Sequence, residues 1–160
     1  MYKRQVPGDY PAILRLNFEF ERYLSPLDEG RLRKLHAQAA IHRVAVDENG
    51  IAGFLLGFRE GEPYDSPNYR WFTGRYPCFL YIDRVVVAAR AQGAGIGSLL
   101  YEDAIEFARR DGAGILACEF DIEPPNPGSE KFHLRLGFTE VGRQAVAGGR
   151  KTVSLQMLAL

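Results

Sequence analysis

The apolar and polar positions of the chain follow two periodicities, one typical of strands and one typical of helices. Apolar stretches rich in β-branched and aromatic residues predict strands at residues 41–46, 51–59, 79–87 and 115–122. Apolar residues spaced three and four apart predict helices at residues 10–23, 25–39 and 96–110. A short polar edge strand at residues 2–6 and a C-terminal hairpin at residues 138–158 complete the pattern. With no repeat and no linker, it predicts one α/β domain over residues 1–160.

Capping and turn residues mark several of the element ends. Asp9 can cap the first helix, and Ser25 followed by proline predicts the start of the second. The Asn49-Gly50 step predicts a hairpin between the second and third strands. Asn126, also followed by proline, predicts the cap of a short helix that ends near residue 136. Residues 62–77 contain Pro63, Pro67, Gly74 and Pro77, so they are predicted to form a long loop without a regular element.

Composition and charge narrow the classes of function. The chain has 20 basic and 20 acidic residues, which argues against nucleic acid as its main partner. Its longest apolar run, residues 51–58, is far shorter than the ~20 residues that span a bilayer, so no membrane contact is expected. Cys78 and Cys118 are too few for a disulfide framework. With no signal-peptide pattern, a cytoplasmic location is expected.

A glycine-rich turn separates the strand at residues 79–87 from the helix that follows it. Glycines let a backbone approach a ligand closely, and the first amides of a helix have no partner inside it, so this turn is suited to holding phosphate. It is not a dinucleotide fingerprint, because Ser98 and Leu100 stand where that pattern requires glycine. The Gly-Lys-Ser/Thr ending of a Walker loop is also absent. His36 and His42 lack metal-ligand spacing, and no metal is expected.

Two segments carry a family resemblance. Residues 87–100 resemble the acetyl-CoA-binding motif of the GNAT N-acetyltransferase superfamily, and Gln92, Gly95 and Gly97 occupy its fixed positions. Residues 126–138 resemble the second motif of that family, in which an Asn precedes a small residue, an aromatic position and Leu-Gly-Phe. The predicted order of strands and helices matches the family as well. The resemblance covers nearly the whole chain.

The resemblance implies a mixed, mostly antiparallel twisted sheet of about six or seven strands, splayed between strands four and five, with about four helices. Acetyl-CoA, the implied co-substrate, would lie in that split and pair with the strand backbone at Arg84, Val85 and Val87. Its pyrophosphate would bind the turn formed by Gln92, Gly93, Ala94, Gly95, Ile96, Gly97 and Ser98. Asn126 and Ser129 would contact the pantetheine or shape its pocket, although Asn126 is equally interpretable as a plain helix cap.

The implied reaction is direct transfer of the acetyl group to an amine. A base must take the proton of the amine, and a backbone N–H near Val85 would stabilise the oxyanion. Many relatives have a glutamate where Tyr81 stands, so the base is sought elsewhere: Asp83 first and Glu119 second, with Asp121 and Glu19 as further carboxylates. His133 occupies a position at which the family often has tyrosine. It is interpreted either as the acid that protonates the thiolate or as a side chain that packs or bonds the cofactor.

Two alternatives stay open at this point. The aromatic residues of the loop at 62–77 would border the amine acceptor, cover the core or form the contact of a homodimer.

The chain as a whole is predicted to acetylate a primary amine of a small molecule or peptide. The alternative is a non-catalytic acyl-CoA-binding sensor, which the missing glutamate and tyrosine would allow.

Overall fold

The strands of the chain join one mixed sheet in a computed structural model that describes residues 1–160. The seven strands are β1 Tyr2–Arg4, β2 Ile41–Asp47, β3 Gly50–Arg59, β4 Leu80–Val87, β5 Ile115–Glu123, β6 Thr139–Val146 and β7 Lys151–Ala159. Their order is β1-β2-β3-β4-β5-β7-β6. β4 and β5 run parallel, with Leu80 opposite Leu116 and Tyr81 opposite Ala117. The pairs β1–β2, β2–β3, β5–β7 and β6–β7 are antiparallel, which confirms the predicted mixed, mostly antiparallel sheet.

Five α-helices accompany the sheet: α1 Tyr10–Glu19, α2 Glu29–Gln38, α3 Pro67–Thr73, α4 Ile96–Arg110 and α5 Pro127–Arg135. The sequence pattern predicts four of them but not α3, because Pro67 within it and Gly74 just after it are typical of helix breakers. Pro67 instead occupies the first position of α3, where its missing N–H costs nothing, and Ser66 caps the helix by accepting from the amide of Tyr69 at 3.3 Å. No helix combines the length and the apolar composition that crossing a bilayer requires.

One predicted helix start is right and one is wrong. α1 begins at Tyr10 after Asp9, as predicted, although the Asp9 side chain makes no capping bond; it accepts from Lys3 Nζ at 2.6 Å and from the Val6 amide at 2.9 Å. α2 begins at Glu29 with Asp28 as its cap, whose Oδ1 accepts from the Arg31 amide at 2.7 Å. The chain is therefore non-helical at Ser25, where the sequence signal placed a helix start.

The residues group into two compact units, Met1–Phe58 with Ile82–Phe107 and Arg59–Tyr81 with Ala108–Leu160. The core of the first unit is built from α1, α2, β2, β3 and the end of β4, and it includes Ile13, Leu32, Val44, Phe54 and Val86. The second unit has an aromatic centre, in which the Tyr69 ring packs edge-on against Phe79 and Tyr81. Phe72 lies beside the same rings.

His36 and His42 form a side-chain pair between α2 and β2. Their Nδ1 atoms lie 2.9 Å apart, so one ring donates and the other accepts. The side chain of His42 is buried, and burial together with the neighbouring His36 lowers the pKa of His42 from 6.5 to about 3. The His42 ring is therefore neutral in the folded protein at neutral pH.

We expect the free energy of unfolding to decrease as the pH is lowered below about 6.5. The unfolded chain binds a proton at His42 near its ordinary pKa, whereas the folded chain resists that proton down to about pH 3. The stabilisation due to the neutral His42 ring is thus fully present above the pKa of His42 in the unfolded chain. Below that pKa, the free energy of unfolding decreases by up to about 1.4 kcal/mol per pH unit. Urea denaturation between neutral pH and about pH 5 measures this slope. A His42→Leu variant should show a smaller slope, and equal slopes in the two proteins would contradict the assignment.

Candidate active site

The glycine-rich turn lies where the sequence places it, between the end of β4 and the start of α4. Gly93 and Gly95 adopt φ of +82° and +79°, a left-handed conformation that side-chain-bearing residues rarely adopt. A Cβ at either position would meet no atom within 4 Å, so both glycines face open space. The Leu99 amide donates to the Gly95 carbonyl at 3.0 Å and begins the hydrogen bonding of α4. The preceding amides are those that a helix leaves without an internal partner, which makes the turn an anion cradle.

Neighbouring side chains fix the shape of this turn. The Gln92 side chain bonds to the protein's own backbone, because its Nε2 donates to the Val87 carbonyl at 3.3 Å. The Arg90 guanidinium pairs with the Asp47 carboxylate and also donates to the Ile51 carbonyl at 3.1 Å. These bonds tie the N-terminal end of the turn to β4 and to the β2–β3 hairpin. Gln92 thus supports the turn through its side chain.

Val85 and Val87 lie on β4 just before the turn, and both are partly exposed. Asp83, the first base candidate, lies two residues before Val85, and its side chain is buried in an ion pair. Its Oδ2 accepts from Nε of Arg84 at 2.7 Å, and the two side chains are 6% and 4% exposed. A carboxylate in such a buried ion pair gives up its charge only by breaking the pair. The geometry of Asp83 favours the role of a counter-ion over that of a base.

Glu119, the second base candidate, is held by Tyr81. The Tyr81 hydroxyl lies 2.9 Å from Oε1 and 2.8 Å from Oε2 of Glu119. Tyr81 is fully buried, and its ring is fixed by Tyr69 and Phe72. Because β4 and β5 are parallel and Tyr81 faces Ala117, Glu119 lies two residues further along β5 on the same face. Tyr81 thus positions a carboxylate of the neighbouring strand.

Asp121 shares the face of Glu119, as predicted from the alternation of β5. It is buried, and its Oδ2 accepts from Lys151 Nζ at 3.0 Å. The ion pair occupies the carboxylate, so Asp121 is a weaker base candidate than Glu119. Glu19 ends α1.

Asn126, Ser129 and His133 form one hydrogen-bonded group on α5 and its N-cap. Asn126 Oδ1 accepts from the Ser129 amide at 3.3 Å, so the predicted helix cap is present. His133 Nδ1 lies 2.8 Å from the Ser129 carbonyl and 3.2 Å from Ser129 Oγ. A carbonyl only accepts, so Nδ1 carries the hydrogen. The ring also stacks on Phe120 and meets Phe132 and Phe138 edge-on.

The environment of His133 disfavours a protonated ring. Burial lowers the pKa of His133, and the bond to the Ser129 carbonyl only partly opposes that effect. The imidazole is therefore neutral at neutral pH, and its Nδ1 hydrogen is committed to the backbone. Of the two interpretations of His133, the structure favours packing over service as the resident acid.

We expect His133→Phe to retain kcat within about threefold of the wild-type value. The loss of a catalytic acid would instead lower kcat by about 10²–10⁴-fold. Phenylalanine refills the space between Phe120 and Phe138, whereas alanine leaves a cavity, and His133→Ala should lose about 3 kcal/mol of stability. Thermal unfolding and steady-state rates of both variants check this. A stable, well-folded His133→Phe protein with a hundredfold lower kcat would restore the acid assignment.

The aromatic residues of the segment between β3 and β4 divide into two sets. Tyr64, Tyr69 and Phe72 are buried, which favours the interpretation that they cover the core. Trp71 is partly exposed and packs on β6, where a Cβ at Gly142 would lie 2.5 Å from its ring. The Arg75 guanidinium stacks over the other side of Trp71, 4.0 Å from the ring centroid.

The structure therefore combines a mixed sheet, in which β4 and β5 run parallel, with a glycine-rich turn suited to an anion at the start of the helix that follows β4. The family comparison identifies the class of protein. Residues 10–138 match the model of the acetyltransferase (GNAT) family, so the chain belongs to that family and is an acyltransferase. No curated protein sequence matches the chain significantly.

Solved structures share the fold. The chain is similar to a ribosomal-protein-alanine N-acetyltransferase from Brucella melitensis, with 24% identity, a TM-score of 0.75 and coverage of 100% of this chain and 99% of that one. It is similar to Naa20 from Chaetomium thermophilum in complex with a bisubstrate analogue, with 20% identity, a TM-score of 0.81 and coverage of 100% and 86%. It also resembles yncA, a putative acetyltransferase from Salmonella typhimurium with its cofactor acetyl-CoA, with 22% identity, a TM-score of 0.73 and coverage of 100% and 93%.

Proposed function

We propose that the protein transfers the acetyl group of acetyl-CoA to the primary amine of a small molecule or peptide. The observation that carries the proposal is the turn at residues 92–98, in which two left-handed glycines face open space just before the first amides of α4, which a helix leaves without an internal partner. The pyrophosphate of acetyl-CoA would bind these amides, and the partial positive charge of the helix N-terminus would favour it. Asn126 and Ser129 are proposed as contacts of the pantetheine arm.

Glu119 is proposed as the general base. The Tyr81 hydroxyl orients the Glu119 carboxylate, and Glu119 is partly exposed, whereas the carboxylates of Asp83 and Asp121 are held in ion pairs. The amine nitrogen attacks the thioester carbonyl, a C–N bond forms, and the amine proton passes to Glu119 directly or through one water. The backbone N–H of Val85 is proposed to stabilise the oxyanion.

Collapse of the tetrahedral intermediate breaks the C–S bond and releases the thiolate of CoA. A thiol with a pKa near ~8.5 regains its proton from water at neutral pH, so this step does not require a protonated His133.

Family membership and the orientated carboxylate both favour catalysis over a sensor role. The match over residues 10–138 includes parts of both compact units, which supports one acetyltransferase domain. The two free thiols, Cys78 and Cys118, support a cytoplasmic location.

Calorimetric titration with CoA, followed by a thiol-release assay, tests the proposal. The acceptor panel consists of spermidine, glycinamide and heptapeptides that begin with Ala, Ser or Met. We expect CoA to bind and at least one amine to accelerate thiol release from acetyl-CoA. Binding of CoA without amine-dependent release would favour the sensor alternative, and the absence of CoA binding would contradict both.

A further inference from the structure

Gly53 lies in the interior of β3, where a glycine weakens a strand. Glycine loses more conformational freedom on folding than any other residue, and it has no side chain to pack against the neighbouring strands. A left-handed backbone does not account for this glycine, because its φ, unlike the +100° of Gly50, lies outside the left-handed region. A glycine inside a strand then commonly marks the close approach of another part of the backbone.

The end of β4 and the start of α4 both lie unusually close to Gly53. A Cβ at this position would lie 2.6 Å from the Val86 carbonyl oxygen and 3.5 Å from the Cα of Val87, the last residue of β4. It would also lie 3.3 Å from Cγ2 of Ile96, the first residue of α4. Both ends of the glycine-rich turn therefore rest against a strand position that has no side chain.

The residues on either side of Gly53 are fixed more firmly than the ends of the turn. Ala52 and Phe54 are fully buried in the core of this compact unit, so β3 has little freedom to move away. Val87 and Ile96 are only partly buried. A methyl group cannot lie 2.6 Å from a backbone oxygen, so a side chain at position 53 would displace the ends of the turn.

We infer that Gly53 is a positioning residue for the cofactor. Because it has no side chain, the two ends of the turn can approach β3, and this approach sets the spacing of the amides at residues 92–98. The inference rests on the proposed function, which assigns those amides to the pyrophosphate of acetyl-CoA. Several amides that bind one ligand must be aligned together, and a misplacement of ~1 Å in a functional site can cost about 10²-fold.

The test compares Gly53→Ala with a matched control, Gly142→Ala. A Cβ at Gly142, on β6 in the other compact unit, would lie 2.5 Å from the Trp71 ring, so the control introduces a comparable clash in a different strand. Overpacking should lower the thermal stability of both variants. By calorimetric titration, the Kd for CoA should increase by about tenfold or more in Gly53→Ala and by less than about twofold in Gly142→Ala. In Gly53→Ala the KM for acetyl-CoA should increase as well, whereas the KM for the amine should not.

Hydrogen exchange of the unliganded proteins provides a readout that does not require CoA. Exchange at residues 88–98 should accelerate in Gly53→Ala and stay at the wild-type rate in Gly142→Ala. If Gly53→Ala does not fold, Ile96→Ala tests the same contact from the side of α4, because it removes the side chain that rests on Gly53. We expect Ile96→Ala to raise the Kd for CoA by about threefold or more and to accelerate exchange in the same residues.

Two outcomes would overturn the inference. One is a folded Gly53→Ala protein, or in its place a folded Ile96→Ala protein, that binds CoA as tightly as wild type. The other is a Gly142→Ala protein that loses as much affinity as Gly53→Ala, which would make the effect one of general stability. If the wild-type protein binds no CoA, the proposed function fails and exchange alone decides. Acceleration in Gly53→Ala would then support the positioning of the turn, and unchanged exchange would contradict it.

Discussion

Replacing Glu119 by glutamine is expected to lower kcat/KM by about 10²–10⁴-fold, the range typical of a missing general base. Glutamine retains the size of the side chain and can still accept from the Tyr81 hydroxyl, so the fold and acetyl-CoA binding should be preserved. What is lost is the ability to take the proton of the amine. Steady-state thiol-release kinetics over a range of pH measure this loss, together with the disappearance of the acidic limb of the profile.

Asp121→Asn is the matched control for that experiment. Asp121 lies on the same face of β5 as Glu119, but its carboxylate is paired with Lys151. We expect its kcat/KM to decrease by less than about fivefold. If Glu119→Gln retained wild-type kcat/KM, or if Asp121→Asn showed the larger loss, the assignment of the base to Glu119 would be wrong.

Replacing Gly95 by valine should weaken CoA binding by about 5- to 30-fold. The left-handed conformation at φ +79° costs a residue with a Cβ roughly 1–2 kcal/mol, and this cost must be met whenever the turn adopts its binding shape. The Cβ would also project into the open space that a phosphate would occupy. Calorimetric titration with CoA measures the change in affinity directly.

Gly112→Val separates backbone strain from loss of the cradle. Gly112 has φ +75°, and a Cβ at this position would have no atom within 4 Å, so valine there carries the same strain away from the turn. We expect its stability to decrease as in Gly95→Val while its affinity for CoA stays within about twofold of wild type. Equal affinities of the two variants would contradict the proposal that residues 92–98 bind the pyrophosphate.

Most of the fold could be predicted from local patterns. The strands and α4 have strong periodicities, and the glycine that follows α4, Gly112 with φ +75°, ends the helix for a local reason. The failures concern helix starts. α3 has a proline at its start that looks like a breaker, and Ser25 has the sequence of a cap but its backbone carbonyl is used by Arg84 and Asn17 instead.

The candidate site was predictable to the extent that it depends on backbone conformation. Gly93 and Gly95 signal left-handed turns by their residue type, so the cradle could be located without a structure. The choice of base between Asp83 and Glu119 could not be made in this way, because the partner of Glu119 is distant in sequence. Glu119 is 38 residues from Tyr81, and the register that joins them is visible only when the strands are paired. The period-two pattern of β5 indicated the face of Glu119 but not its neighbour.

The central claim is that the chain acetylates an amine with acetyl-CoA, and mass spectrometry of the acceptor tests it most directly. Each amine of the panel is incubated with acetyl-CoA and wild-type protein, Glu119→Gln protein or no protein. We expect one acetyl group to be added to at least one amine. At early times, the yield with Glu119→Gln protein should be lower than with wild-type protein by a factor of about 10² or more. Acceptors that gain no acetyl group beyond the level without protein, although CoA binds, would contradict it.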